Sequence, residues 1–368
     1  MAKNIPTMKV NEAVDKLGVC YETILKANLP LKEMPSVMLW GAPGIGKSQL
    51  VRELAERLKT TTGKRVCVTD VRLILFNPVD LRGIPTSNAE KTLSVWLKPK
   101  IFDMDTSEDT LNILFLDEIS AAPQSVQAAA YQITLDRVIG EHKLPDNCIV
   151  VAAGNRITDR SVAYKMPRAL ANRLMHVEIV PDFHSWLDWA MQSGINDKVV
   201  AFLSFKPNYL NEEDITNDDL AFPTPRTWEM VSKVLNNVSG DMAFAYPLLC
   251  GLVGTGIASE FRAWCKIYKD LPKVEDIFNG KVTTVPKGTD QLYALTSSMI
   301  AFARECQDDL KRVENSLEYA LRMPPDFACV LLKGYQSIGT DFAKNLMKIP
   351  TYMKWLNTRG KLLNGIIR

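Results

Sequence analysis

Short apolar runs rich in β-branched residues alternate with helical patterns in the first half of the chain. The runs are VMLW (37–40), RVCVTDV (65–71), NILFLDE (112–118), CIVVAAGN (148–155) and MHVEIV (175–180). Apolar residues recur at helical spacing over 47–58, and further helices are predicted over 11–28 and 123–135. Alternation of strands with helices is typical of a parallel sheet flanked by helices. The pattern therefore predicts an α/β fold built on a five-stranded parallel sheet.

Strand signals stop after Pro181, and helical patterns continue almost to the end of the sequence. Two polar stretches interrupt these patterns: 206–227, which has three prolines, and 279–290, which has two glycines and one proline. The second half is therefore predicted to be helical, with a possible division at the second interruption.

Charge and composition narrow the class of protein. The net charge is only +2, so the bulk charge gives no attraction to nucleic acid or to an anionic membrane. No apolar run approaches the roughly 20 residues that span a bilayer, and the first residues lack the apolar core of a signal peptide. We expect a cytoplasmic protein without a membrane segment. The seven cysteines show no CxxC spacing and the three histidines are dispersed, so neither disulfides nor a zinc site is indicated.

The stretch GAPGIGKS, residues 41–48, fits the phosphate-loop pattern GxxxxGK[ST] between a predicted strand and a predicted helix. Phosphate oxygens need several backbone N–H donors at close range, and glycines allow the backbone to supply them. Lys47 can reach the terminal phosphates, and the Ser48 hydroxyl can bind Mg²⁺. The predicted nucleotide-binding residues are Gly41, Ala42, Pro43, Gly44, Ile45, Gly46, Lys47, Ser48 and Gln49.

A second acidic motif ends the run NILFLDE. In an open α/β sheet the carboxyl ends of the strands face the ligand, so Asp117 and Glu118 are predicted to lie at the site. Asp117 is placed to hold Mg²⁺ through water, and Glu118 to orient and deprotonate the attacking water. The sequence therefore predicts nucleotide hydrolysis.

The two motifs, followed by AAGN, ANRL and PRT, resemble AAA+ ATPases, and within them the MoxR-like group. The stretches 77–85, 136–145 and 152–179 carry the closer resemblance. It implies a five-stranded AAA+ P-loop core, an α-helical lid and two extra hairpins. The resulting division is an N-terminal helical segment (1–34), the nucleotide-binding core (35–181), the lid (182–270) and a helical C-terminal extension (271–368).

The resemblance also assigns roles to residues outside the two motifs. Asn155 matches sensor 1, a polar residue that contacts the γ-phosphate or the attacking water. Arg173 matches the arginine finger, which completes the site of a neighbouring subunit, although Arg168 competes for this role. Arg226 matches sensor 2 in the lid, with a helix-start residue beside Trp228 as the alternative interpretation.

Three segments are candidates for contact with a partner. Residues 83–96 and 137–144 correspond to the two extra hairpins, and either is equally compatible with an inert surface loop. The C-terminal stretch after Asp341 has basic residues and no acidic ones, which would suit an acidic partner. Packing of terminal helices with a solvated basic face is the preferred interpretation of that stretch.

Three functions remain in competition. The resemblance implies a hexameric, chaperone-like ATPase that uses ATP and Mg²⁺ to remodel, mature or load a partner protein. That partner is often a von Willebrand factor A-domain protein, and ATP is preferred over GTP only by resemblance. The second function is a nucleic-acid motor, because GNRITDRS is similar to the GTP-dependent translocase of restriction systems, although the near-neutral charge opposes it. The third is a nucleotide-dependent binding switch, which Glu118 opposes because a switch needs no water-activating carboxylate.

Overall fold

The computed structural model describes residues 5–156, 164, 166–167, 171–211, 220–238, 242–269, 271–336 and 338–356. These residues divide into two compact units with the boundary between Trp186 and Leu187. Within the described part of the chain, all strands lie in the first unit and the second unit is helical.

A parallel sheet of six strands lies at the centre of the first unit. The strands are β1 (Thr7–Met8), β2 (Val37–Trp40), β3 (Arg65–Arg72), β6 (Thr110–Asp117), β9 (Cys148–Gly154) and β10 (Met175–Ile179). Their order in the sheet is β1-β10-β2-β9-β6-β3, and every pair is parallel. The predicted α/β class and all five predicted strands are confirmed.

The predicted number of strands was too small by one. Strand β1 joins the edge of the sheet beside β10, where the Glu178 and Val180 amides donate hydrogen bonds to the Pro6 and Met8 carbonyls at 3.0 and 3.1 Å. A strand of two residues has no alternating pattern of its own, and only its pairing with β10 defines it.

Two apolar clusters cover the two faces of the sheet. Because successive strand residues point to opposite faces, Val37 and Leu39 pack in one cluster while Met38 packs in the other. Helices α1 (Val10–Lys26) and α2 (Lys47–Thr62) contribute to the first cluster, and α4 (Gln124–Asp136) to the second. Strands β6 and β9 are buried almost throughout because both of their faces are covered.

Two β-hairpins extend the first unit at the predicted segments. Strands β4 (Ile84–Ser87) and β5 (Ser94–Leu97) form one, after the short helix α3 (Pro78–Arg82). Strands β7 (Val138–Ile139) and β8 (His142–Lys143) form the other. The hairpins contact each other, since His142 Nε2 lies 2.8 Å from the Trp96 carbonyl oxygen.

The described residues after β10 are mostly helical, as predicted. The described helices are α5 (Phe183–Gln192), α6 (Asp197–Phe205), α7 (Pro225–Asn237), α8 (Met242–Val253), α9 (Thr255–Lys269), α10 (Val274–Phe278), α11 (Thr289–Glu305), α12 (Leu310–Ala320), α13 (Pro325–Gln336) and α14 (Thr340–Leu346). None of the described helices combines the length and hydrophobicity needed to cross a membrane. The division of this region into a lid and a C-terminal extension stays a prediction.

Candidate nucleotide site

The predicted site residues of the first unit follow three neighbouring strands at one edge of the sheet. Strand β2 leads into the loop that begins at Gly41, β6 ends at Asp117, and Asn155 directly follows β9. Leu39 pairs with Ala153, and Leu116 with Ala152, so the three strand ends lie side by side. This is the edge where ligands bind in open parallel sheets.

The phosphate loop has a backbone that only glycine adopts easily. Gly41, Gly44 and Gly46 have φ angles of +151°, +81° and +103°. A Cβ atom on Gly41 would lie 2.7 Å from the Ile179 carbonyl oxygen and 2.3 Å from Ile45 Cδ1. Ile45 is buried in the core and anchors the loop. The loop therefore offers a narrow backbone cradle of the kind that phosphate groups occupy.

Lys47, the first residue of α2, closes the loop. Its Nζ donates hydrogen bonds to the Gly41 and Ala42 carbonyls at 2.6 and 2.9 Å, and to Asn155 Oδ1 at 2.8 Å. The ammonium thus already joins the phosphate loop to the predicted sensor. A bound phosphate would compete with these acceptors for the same cation, since the ammonium has three donors.

Ser48 and Asp117 place two oxygen atoms together beside the loop. Ser48 Oγ lies 3.4 Å from Asp117 Oδ2. Hydroxyl and carboxylate oxygens suit Mg²⁺, which usually keeps several waters and takes further oxygens from the phosphates of its substrate. The described residues hold no cluster of three or more His, Cys, Asp or Glu side chains that would bind a metal without such a substrate. The residues fit a Mg²⁺–nucleotide complex.

For two other predicted binding residues, Gln49 and Pro43, the side-chain positions give less direct support for a role in phosphate binding. Gln49 donates its side-chain amide to Glu53 Oε1 at 3.1 Å, one turn further along α2. Pro43 is exposed at the tip of the loop. Gln49 can therefore contribute its backbone N–H, whereas Pro43 has no backbone N–H and can contribute only to the conformation of the loop.

Glu118 lies in a strained backbone conformation. Its φ angle is +58°, and its amide donates to Asp117 Oδ1 at 2.9 Å. The Ala121 and Ala122 amides donate to the Glu118 carbonyl at 3.0 and 3.2 Å. Such conformations persist where the surrounding structure holds them, and they concentrate at functional sites.

Negative charge is concentrated at the ends of β3 and β6. Partial burial raises the pKa of the Asp70 carboxyl, and the nearby Asp117 carboxylate raises it further, against the opposing effect of Arg72 and Arg52. Arg72 pairs with Asp117 in the sheet register. A divalent cation would relieve the repulsion between these carboxylates.

Ser120, Gln127 and Tyr131 hold the backbone around the site through hydrogen bonds, and the sequence did not indicate this role. Ser120 Oγ accepts the Asn155 amide at 2.9 Å. Gln127 is buried and donates to the Ala122 and Ser120 carbonyls at 2.9 and 3.3 Å, while Tyr131 donates to Gln127 Oε1 at 3.1 Å. The polar Ser120 and Gln127 lie between apolar neighbours, which was the available signal, but only the folded sheet shows what they contact.

The predicted arginines occupy different parts of the molecule. Arg173 is exposed in the turn before β10, in the first unit. Arg226 is exposed on the first turn of α7, in the second unit. Arg168 lies outside the described residues. The roles of all three stay predictions.

Comparison with known proteins supports the assignment of the first unit. Residues 36–176 match the ATPase family associated with various cellular activities (AAA). No curated protein matches the chain. This match supports an AAA+ ATPase and confirms the predicted P-loop α/β class of the core.

Two solved structures illustrate a remote similarity. A RuvB mutant of Thermotoga maritima shares 17% identity, over 79% of this chain and 84% of that one, with a TM-score of 0.39. NtrX of Brucella abortus in complex with ADP shares 15% identity, over 90% of this chain and 68% of that one, with a TM-score of 0.37. These similarities carry no argument about function.

Proposed function

We propose that this chain is a MoxR-like AAA+ ATPase that hydrolyses ATP in a hexameric cytoplasmic ring. The ring uses the cycle of binding and hydrolysis to remodel, mature or load a partner protein. The observation that carries the proposal is the meeting of Lys47, Asn155, Ser48 and Asp117 at one edge of the sheet. A glycine-rich turn without a ligand would need none of these contacts.

Each residue of this group has a defined task. The loop amides and Lys47 bind the phosphates, and Ser48 and Asp117 hold Mg²⁺. When bound, the cation stabilises charge on the phosphate oxygens. Glu118 orients and deprotonates the attacking water, and Asn155 contacts that water or the γ-phosphate.

Arginines from outside this group complete the proposed cycle. Arg173 reaches the site of a neighbouring subunit, where an arginine finger increases the rate by about 10³ to 10⁵. A subunit alone therefore hydrolyses ATP slowly. Arg226 on α7 contacts the nucleotide from the lid (182–270), so that hydrolysis moves the lid. The hairpins β4–β5 and β7–β8 are proposed to contact the partner, a von Willebrand factor A-domain protein being the expected class.

The test measures ATP hydrolysis per subunit against protein concentration. The rate per subunit should rise by about 10³-fold or more as rings form, because the finger comes from the neighbour. Glu118→Gln should keep nucleotide binding and lose turnover, whereas Lys47→Ala should lose binding. Glu33→Gln, at an exposed carboxylate of the same unit, is the matched control and should hydrolyse normally.

Two results would contradict the proposal. Hydrolysis that is independent of concentration would exclude a finger supplied by the neighbour. Normal turnover by Glu118→Gln would exclude this residue as the base.

A further inference from the structure

His176 joins the strand of the phosphate loop to the turn that carries Arg173. It lies on β10, where it pairs with Met38 of β2, and its ring stacks on Trp40 with centroids 6.0 Å apart and planes inclined by 20°. Trp40 Nε1 donates to His176 Nδ1 at 2.8 Å. His176 Nε2 lies 2.7 Å from the Ala171 carbonyl oxygen.

The partners determine which nitrogen of this ring accepts a hydrogen bond and which one donates. The indole N–H of Trp40 can only donate, so His176 Nδ1 must accept. The Ala171 carbonyl can only accept, so Nε2 must carry the proton and donate. These two bonds use both ring nitrogens of a neutral imidazole in one tautomer.

The two partners, Trp40 and Ala171, each lie next to a segment with a proposed role in hydrolysis. Trp40 directly precedes Gly41, the first residue of the phosphate loop. Ala171 begins the turn that contains Arg173, and the carbonyl of Ala171 also accepts the Leu174 amide at 3.4 Å. Leu174 packs in the core. The turn is therefore held at one end by Leu174 and at the other by His176, with Arg173 exposed between them.

We propose that His176 is a positioning residue for Arg173, coupling the phosphate loop of one subunit to the arginine that this subunit supplies to its neighbour. The inference rests on the proposed function of Arg173. Displacement of Trp40 when the loop binds phosphate moves the imidazole, and the imidazole moves the Ala171 carbonyl and the turn. His176 thus affects hydrolysis in the neighbouring site rather than in its own.

Mixed rings separate this role from a purely structural one. A donor subunit carries Glu118→Gln, so its own site does not hydrolyse but its Arg173 is intact. An acceptor subunit carries Arg173→Ala, so its own site is intact but it supplies no finger. Hydrolysis in the mixture then arises only where an acceptor site faces the Arg173 of a donor.

His176→Phe is then added to one subunit at a time, because phenylalanine keeps an aromatic ring and loses both hydrogen bonds. Added to the donor, it should lower hydrolysis by about 10- to 100-fold, the cost of misplacing a catalytic group by about 1 Å. Added to the acceptor, it should change hydrolysis by less than about twofold. His176→Gln in the donor keeps an acceptor and a donor and should restore part of the rate.

The controls separate folding from positioning. His184→Phe makes the same change at an exposed histidine of α5 and should have no effect in either subunit. Trp40→Phe in the donor keeps an aromatic ring but removes the indole N–H together with part of the indole, and should reproduce the effect of His176→Phe in weaker form. Ring content is measured by size-exclusion chromatography for each mixture.

The outcomes distinguish this inference from the proposed function. If the unsubstituted donor and acceptor fail to hydrolyse ATP together, the neighbour-supplied finger is wrong and this inference falls with it. If they do hydrolyse ATP, and His176→Phe acts equally from both subunits or only from the acceptor, the positioning role alone is overturned.

Discussion

Ser120 connects the turn after Glu118 to Asn155 through one hydrogen bond. Its buried Oγ accepts the Asn155 amide at 2.9 Å. Ser120→Ala removes this acceptor, which should cost about 1–3 kcal/mol of unfolding free energy because a partly buried N–H loses its partner. Asn155 should also shift, so we expect kcat to fall by about tenfold or more with little change in KM for ATP. Urea unfolding and steady-state kinetics measure the two effects.

Ser36 offers a matched control for this residue. It is also buried in the first unit, and its hydroxyl donates to the Thr134 carbonyl at 2.5 Å. Ser36→Ala should lower the unfolding free energy similarly and leave kcat unchanged. Equal losses of kcat in both variants would mean that Ser120 acts only through stability.

At the scale of elements, two helical glycines should respond to alanine in opposite directions. Gly251 lies in α8, and a Cβ there would meet no atom within 4 Å. Gly251→Ala should raise the unfolding free energy by about 0.5–1 kcal/mol, because alanine loses less backbone entropy in a helix.

Gly334 in α13 is the counterpart, because a Cβ there would lie 2.2 Å from Cδ1 and 2.6 Å from Cγ1 of Ile300 on α11. Gly334→Ala should lower the unfolding free energy by about 1–3 kcal/mol, since these helices would have to separate or Ile300 to move. Urea unfolding of both variants tests the pair. If the unfolding free energy changed in the same direction in both variants, the packing of α13 on α11 would be contradicted.

Most elements of the first unit could be predicted because their signals are local. Strands β6 and β9 are runs of buried apolar residues, and the α2 helix has an apolar stripe directly after the phosphate loop. The edge strand β1 was missed because pairing with β10, about 170 residues later, defines it. The order of the strands depends likewise on contacts between distant segments.

Within the site, too, residues in local motifs could be predicted, whereas contacts between distant residues could not. Lys47, Ser48 and Asp117 could be predicted because local motifs contain them. The contacts of Ser120 with Asn155 and of Trp40 with His176 join residues 35 and 136 positions apart, so no local pattern indicates them. The side-chain types were visible in the sequence, but their partners depend on which strands become neighbours.

At the scale of the molecule, the two units have separate cores, and the proposed function requires that nucleotide binding affect both. The first unit packs around the sheet, whereas the second contains its own clusters, including Phe202, Trp228 and Phe261 with ring centroids 5.1–5.7 Å apart. A ligand that contacted only the first unit would stabilise that unit alone, by about 2.7 kcal/mol at a concentration of 100 Kd.

Hydrogen exchange of the Glu118→Gln protein, with and without Mg²⁺–ATP, tests whether Arg226 extends the stabilisation by bound ATP to the second unit. If Arg226 contacts the nucleotide, ATP should slow exchange in the amides of α7 as well as in the phosphate loop. Adding Arg226→Ala should abolish the protection of α7 while the loop stays protected at saturating ATP. Lys233→Ala on the same helix, whose side chain pairs with Glu229 at 2.5 Å, is the control and should keep both effects. Unchanged protection of α7 in the Arg226→Ala protein would make Arg226 a helix-start residue beside Trp228, and the proposed coupling between nucleotide and lid would be wrong.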